Sequence, residues 1–275
     1  ARSLSHKGWP VVLLEHPGSD AKAVQQLLKG RSAAPGAEAL HDRLEDLYSV
    51  INSKEIGELN LPGQKIVLMG HSLGALTAFL AAGAMPEPEL EKRCSKALDA
   101  LSLTNISQLL QCQMVDVQLP NNQRPSQLEA IVAINSFGSL LWPNINSANI
   151  STPVLLAGGT YDLITPAISE QLGLLLSTPP NYLSRTLLIE GASHFSPVRV
   201  EGQDQKASGE DLFQIGEAFV GVQPLSVQNL LGTQIIRFLE SLELKKSLDV
   251  LINQKKGDLN FHLLDHSTIN NLINN

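Results

Sequence analysis

Cysteine is almost missing from this chain of 275 residues, which holds two. That excludes a disulfide-dense scaffold and a zinc site built from cysteine alone. Aromatic residues are scarce at 4%, which argues against a stacking platform for bases or sugars. Positive charge is not in excess. Lys and Arg total 20 against 27 Asp and Glu, for a net charge of −7. A general nucleic-acid binder needs a basic face to neutralise phosphates, so no nucleic-acid partner is expected. No apolar run reaches the roughly 20 residues of a membrane span, so no transmembrane segment is expected. The chain opens at Ala1, and its first stretch, ARSLSHKGW, does not read as a signal peptide. The compartment is therefore not legible at this end.

Apolar material, by contrast, is ample. Hydrophobic residues make up 43% and charged residues 17%, which builds a core and excludes disorder of the whole chain. Five short apolar runs stand out: Pro10–Glu15, Lys65–Gly70, Ala130–Asn135, Pro153–Gly158 and Arg185–Glu190. None alternates apolar with polar, as expected of strands buried on both faces of a parallel sheet. Helical patterns lie between them. Leu40, Leu44, Leu47 and Ile51 recur at helical spacing, with His41, Asp42, Arg43, Glu45 and Asp46 opposite. Gly74–Ala84 is small and apolar, Thr165-Pro166 opens a helix over about 167–176, and 225–243 is amphipathic. The alternation predicts an α/β architecture, a mostly parallel sheet flanked by helices. It spans 1–244, with a helical cap inserted at about 86–129 over the sheet edge. The cap has helices near 89–99 and 104–112. Residues 245–275, rich in Asn and Lys, read as a weakly ordered tail.

The strongest chemical signal is Gly70-His71-Ser72-Leu73-Gly74 between a strand and a helix. This is the setting of a nucleophile elbow, where a sharp turn exposes a serine at the strand end. Both glycines are expected to be required, because a Cβ would clash with the neighbouring strand and helix. The helix N-terminus favours negative charge near Ser72. Leu73 N–H is the candidate oxyanion donor, with His71 beside it as a binding residue. Sites of this kind order their groups Ser, acid, His along the chain. Ser136-Phe137-Gly138 offers no carboxylate after the third run, whereas Asp162 follows the fourth. His194 follows the fifth and is the single histidine between residues 72 and 261. In this scheme Ser72 attacks a carbonyl, His194 takes its proton, and Asp162 orients the imidazole. The substrate class is a small-molecule ester or lipid, and no cofactor or metal is called for.

These motifs, with GGTYDLITP at 158–166 and GASHFS at 191–196, resemble the α/β-hydrolases over about residues 8–243. Within them Glu15-His16-Pro17-Gly18-Ser19-Asp20 is similar to the predicted dienelactone-hydrolase-like group. That group includes cyanobacterial hydrolases and neighbours the platelet-activating-factor acetylhydrolases. The resemblance implies an α/β-hydrolase fold and a serine esterase. Dienelactone hydrolases proper use a cysteine where this chain has Ser72, so that name does not set the substrate. The resemblance also implies a strand and His-Gly loop supplying a second oxyanion donor. No strand pattern separates His16-Pro17-Gly18 from Lys65–Gly70, so Val11–Glu15 is expected to be the strand after that loop. The oxyanion strand itself is expected to precede Ala1. Cys94 and Cys112 flank the cap helices, and a bridge between them would lean toward a periplasmic or secreted protein. His262 and His266 read as a solvated face of the tail. A non-catalytic scaffold and an acyltransferase using the same serine stay open as alternatives.

Overall fold

The computed structural model describes residues 1–19, 26, 31, 35–59, 65–100, 105–121, 124–198 and 222–274. Asp20 of the His16 segment and residue 104 of the second cap helix lie outside them. Helices α1 (Arg2–His6), α2 (Leu40–Ile51) and α3 (Lys54–Leu59) precede strand β1 (Ile66–His71). Helices α4 (Leu73–Ala81), α5 (Leu90–Asp99) and α6 (Ser107–Gln113) follow, then β2 (Leu128–Ile134) and β3 (Val154–Gly159). A wide π turn at Ala167–Leu172 leads into α7 (Gly173–Ser177) and β4 (Arg185–Ile189). Helix α8 (Pro224–Leu244), β5 (Leu251–Lys256), β6 (Leu259–Leu264) and α9 (His266–Asn274) complete the described chain.

The strands form one six-stranded sheet in the order β1-β2-β3-β4-β6-β5. The first four are parallel, while β6 pairs antiparallel with both β4 and β5. Side chains alternate across it. Ile131, Ala133, Val154, Leu156 and Leu188 join the core beneath α2 and α4. Ala130, Val132, Leu155, Ala157, Leu187 and Ile189 join the core beneath α8, around Phe238 and Leu239. Both faces are thus covered, which is why the runs read as continuously apolar. Burying a Leu or Phe side chain in such a core contributes about 1.5–3 kcal/mol.

Four expectations are corrected. Residues 245–275 are not a weakly ordered tail. They supply β5, β6 and α9, with Phe261, Leu263 and Ile269 buried. Asn and Lys are abundant because β5 is the exposed edge strand, where Lys255 and Lys256 discourage further pairing. His262 and His266 do not share a solvated face. The first bonds Glu190 Oε1 at 3.0 Å from β6, and the second bonds Thr178 O at 3.1 Å from the start of α9. Val11–Glu15 is not a strand. It runs irregularly with Val12 52% and Leu13 77% exposed, because a strand exists only where a neighbour takes its backbone groups. Among the described residues no strand lies on the outer edge of β1. Finally, Arg43 does not sit on the polar face of α2 but is buried, its Nη2 donating to Ser19 Oγ. With His16 Nδ1 at 2.9 Å from Asp46, this pins the His16–Ser19 turn onto α2.

The insertion does not stand apart as a lid over an edge. Leu90, Cys94 and Met114 enter the core on the α4 face. Helix α6 abuts the loop after β3, Ser107 N–H donating to Ile164 O at 2.9 Å. Buried Glu170, in the π turn, accepts from Asn105 Nδ2 at 2.7 Å and from the Gly138 and Ser139 amides at 2.8 and 3.1 Å. Cys94 on α5 and Cys112 on α6 are bridged, their Cα atoms 5.4 Å apart. Closing a loop with a sequence separation of 18 stabilises by about 3 kcal/mol on the loop-entropy account. Dithiothreitol is therefore expected to lower the urea midpoint of the intact chain and leave that of Cys94→Ser/Cys112→Ser unmoved. Two titratable thiols in the unreduced, unfolded protein would refute the bridge.

Candidate active site

Ser72 occupies the turn from β1 into α4. Its backbone is at φ 54, ψ −121, a conformation that an L residue keeps only when its surroundings hold it there. Two contacts do so. Ser72 N–H donates to Ile134 O at the end of β2, at 2.9 Å. Gly70 permits the close packing of α4 on β1, since a Cβ there would lie 2.2 Å from the Gly74 carbonyl carbon. The expectation for the second glycine is corrected. A Cβ on Gly74 would meet nothing within 4 Å. Leu73 and Gly74 begin α4, so their amides have no intrahelical carbonyl to reach and face the serine's end of the helix.

Asp162 lies just past β3 and His194 just past β4, at the same carboxyl end of the sheet as Ser72. Both are buried, at 2% and 5% exposure, while Ser72 is half-buried. His194 Nδ1 is 2.8 Å from Asp162 Oδ2. Thr165 Oγ1 donates to the same oxygen at 2.6 Å, and the amides of Ile164 and Thr165 donate to Oδ1 at 2.9 and 2.8 Å. Asn135 Nδ2 adds a further bond to Oδ2. Burial opposes ionisation of this carboxyl. The hydrogen bonds from His194 and Thr165 and the charge of His194 outweigh it and hold the group below its ordinary value. With Nδ1 committed to Asp162, Nε2 of His194 is left to exchange a proton. No hydrogen bond joins Nε2 to Ser72 Oγ among the described residues. Such bonds commonly tighten only in the complex with substrate.

His71 is not placed as an oxyanion or substrate-binding group. Its Nε2 is 2.8 Å from the backbone carbonyl of His194, and the two rings meet at a tilt of 54° with centroids 4.8 Å apart. A carbonyl accepts only, so Nε2 carries the proton and donates. Burial of the ring, then repulsion by His194, pushes His71 down to about 4, against opposing contributions from that hydrogen bond and Asp162. Unfolded, the same histidine titrates near 6.5. Between these values the unfolded chain binds a proton that the folded chain refuses. Stability from His71 is thus complete above about pH 6.5 and falls as pH drops toward 4. The loss is up to about 3 kcal/mol, less where water reaches the ring. Asp162, held low, works in the same direction at still lower pH. The urea midpoint should fall from pH 7 to pH 4.5, and by less in His71→Asn. Equal falls in both proteins would contradict this account.

Ser19 N–H supplies no second oxyanion donor, since it donates to His16 O within its own turn at 3.0 Å. A cavity of about 740 Å³ opens between β4, the β5–β6 hairpin and α9. Thr160, Glu190 and His262 line it, but Ser72, Asp162 and His194 do not. Asn135 and Thr165 are the site residues that sequence reasoning missed. The only trace of Asn135 was an asparagine ending an apolar run. The place of Thr165 before Pro166 predicts a helix cap, but it serves the carboxylate instead.

No family model matches the chain, and no curated protein matches it. Its α/β architecture with a six-stranded, mostly parallel sheet therefore rests on the structure, and its chemistry on the residues themselves.

Proposed function

We propose that this chain is an α/β-hydrolase of the dienelactone-hydrolase-like kind, a serine esterase that cleaves carboxylic esters through an acyl-enzyme on Ser72. One observation carries the reading. A serine held at φ 54 between a parallel strand and a helix shares its end of the sheet with a buried Asp162–His194 pair. The chain order Ser, Asp, His is that of elbow-type hydrolases. Ser72 Oγ bonds to the ester carbonyl carbon as its proton passes to His194 Nε2. The oxyanion is met by Leu73 N–H at the head of α4. Collapse expels the alcohol, which takes the proton from His194. Water then repeats the sequence and frees the acid and Ser72. Asp162 stays ionised and stabilises the imidazolium. No helix among the described residues is long and apolar enough to cross a membrane. The Cys94–Cys112 bridge suits an oxidising compartment, periplasmic or secreted.

The test pairs a fluorophosphonate probe with short p-nitrophenyl esters. Labelling and turnover, both lost in Ser72→Ala, are the expected result. Labelling without turnover, but with transfer to an added alcohol, would favour an acyltransferase. Neither labelling nor turnover would make the chain a non-catalytic scaffold.

A further inference from the structure

We propose that Asn135 is a positioning residue for Asp162, a neutral amide that aims the carboxylate at His194 from the end of β2. The inference rests on the serine-hydrolase reading. Asn135 is fully buried and follows the last residue of β2. Its N–H continues the sheet ladder to Ala157 O at 2.7 Å, and its backbone then turns at φ 49. Asparagine tolerates that left-handed turn better than other side-chain-bearing residues. The turn sends the side chain to Asp162. The carboxylate accepts only, so the amide group facing it is the NH₂. That donor reaches Oδ2, the same oxygen that receives His194 Nδ1 and Thr165 Oγ1. Asn135 Oδ1 has no partner among the described residues. A buried amide left half-satisfied is costly, so its remaining bond has to be worth keeping.

The neighbouring residue gives the placement its meaning. The carbonyl of Ile134 holds Ser72 N–H, while the side chain of Asn135 holds Asp162. Two consecutive residues at the end of one strand thus fix the nucleophile's turn and the acid relative to each other. Strand β2 lies between β1 and β3, so it alone borders both the strand bearing the serine and the strand bearing the acid. A serine, threonine or aspartate at 135 would not do the same. The first two are too short to match the amide's reach, and the third would set a second carboxylate against Asp162.

Two variants test the amide, because both accept φ 49: Asn135→Gly removes it alone, whereas Asn135→Asp keeps its shape but replaces the donor with a second carboxylate against Asp162. Each is expected to lower kcat by about 10-fold or more, the effect of losing one hydrogen bond to a charged group, with KM within about two-fold. The far-downfield proton resonance of His194 Nδ1–H should shift or broaden in both. Wild-type kcat in Asn135→Gly would overturn the proposal. So would a fall in kcat with that resonance unmoved, since the loss would then arise elsewhere. If the unaltered chain neither hydrolyses esters nor takes the phosphonate, the hydrolase reading fails. The resonance alone then decides whether Asn135 orders the Asp162–His194 pair.

Discussion

Ser72→Ala is expected to abolish fluorophosphonate labelling and reduce p-nitrophenyl ester turnover by several orders of magnitude, on the order of 10⁶-fold where the three groups act as a unit. Stability should barely change in either direction for reasons of packing, since Ser72 is half-buried and its hydroxyl bonds nothing in the described structure. The backbone strain at φ 54 remains in the alanine variant. His194→Ala should lose a comparable amount of activity, because the serine is a weak nucleophile without its base. A Ser72→Ala protein that still takes the probe would move the nucleophile elsewhere and end the assignment.

Gly159→Ala is expected to damage activity and fold together. Gly159 ends β3, and a Cβ there would lie 1.9 Å from Ala192 O and 2.4 Å from Ala192 C. These are backbone atoms of the loop that carries His194, so no side chain can swing aside. Asp162 and His194 descend from these two crossing loops, joined also by Tyr161 N–H to Ala192 O at 3.1 Å. Forcing the loops apart stretches the 2.8 Å contact between Nδ1 and Oδ2. A displacement of about 1 Å at such a site costs about 10²-fold in rate, and overpacking costs roughly 1–3 kcal/mol of stability. Gly74→Ala is the counterpart. A Cβ there meets nothing, and removing a helical glycine should leave stability unchanged or raise it by about 0.5–1 kcal/mol. Equal urea midpoints for the two variants would disprove the distinction drawn between these glycines.

The difference between Gly70, where a Cβ would meet the Gly74 backbone, and Gly74, where it would meet nothing, was not readable in the motif, where the two look equivalent. What separates them is what lies beside each Cα, the backbone of α4 at Gly70 and open space at Gly74, a property of the packed pair. The same applies to Thr165. Its place before a proline suggests a cap, but the loop carries its hydroxyl back to Asp162.

Local chemistry was sufficient for much of the rest. The runs that became β2, β3 and β4 are continuously apolar because both their faces are covered, and that pattern survives in the linear chain; β1, at the sheet edge, is only partly covered and leaves Met69 42% exposed. The elbow, Asp162 and His194 were legible because each follows such a run, and all parallel strands deliver their carboxyl ends to one side. Other features depend on partners far away in sequence. Val11–Glu15 has strand composition but no neighbour to take its amides. Residues 251–264 have poor strand composition, yet they become β5 and β6 because each pairs with the other and β6 with β4. Arg43 leaves its polar face for Ser19, and Asn135 reaches Asp162, 27 residues on. Periodicity and motif order report what a segment can do alone. Strand pairing, close backbone approach and the hydrogen bonds of a buried carboxylate join separate segments, and only the folded chain decides them.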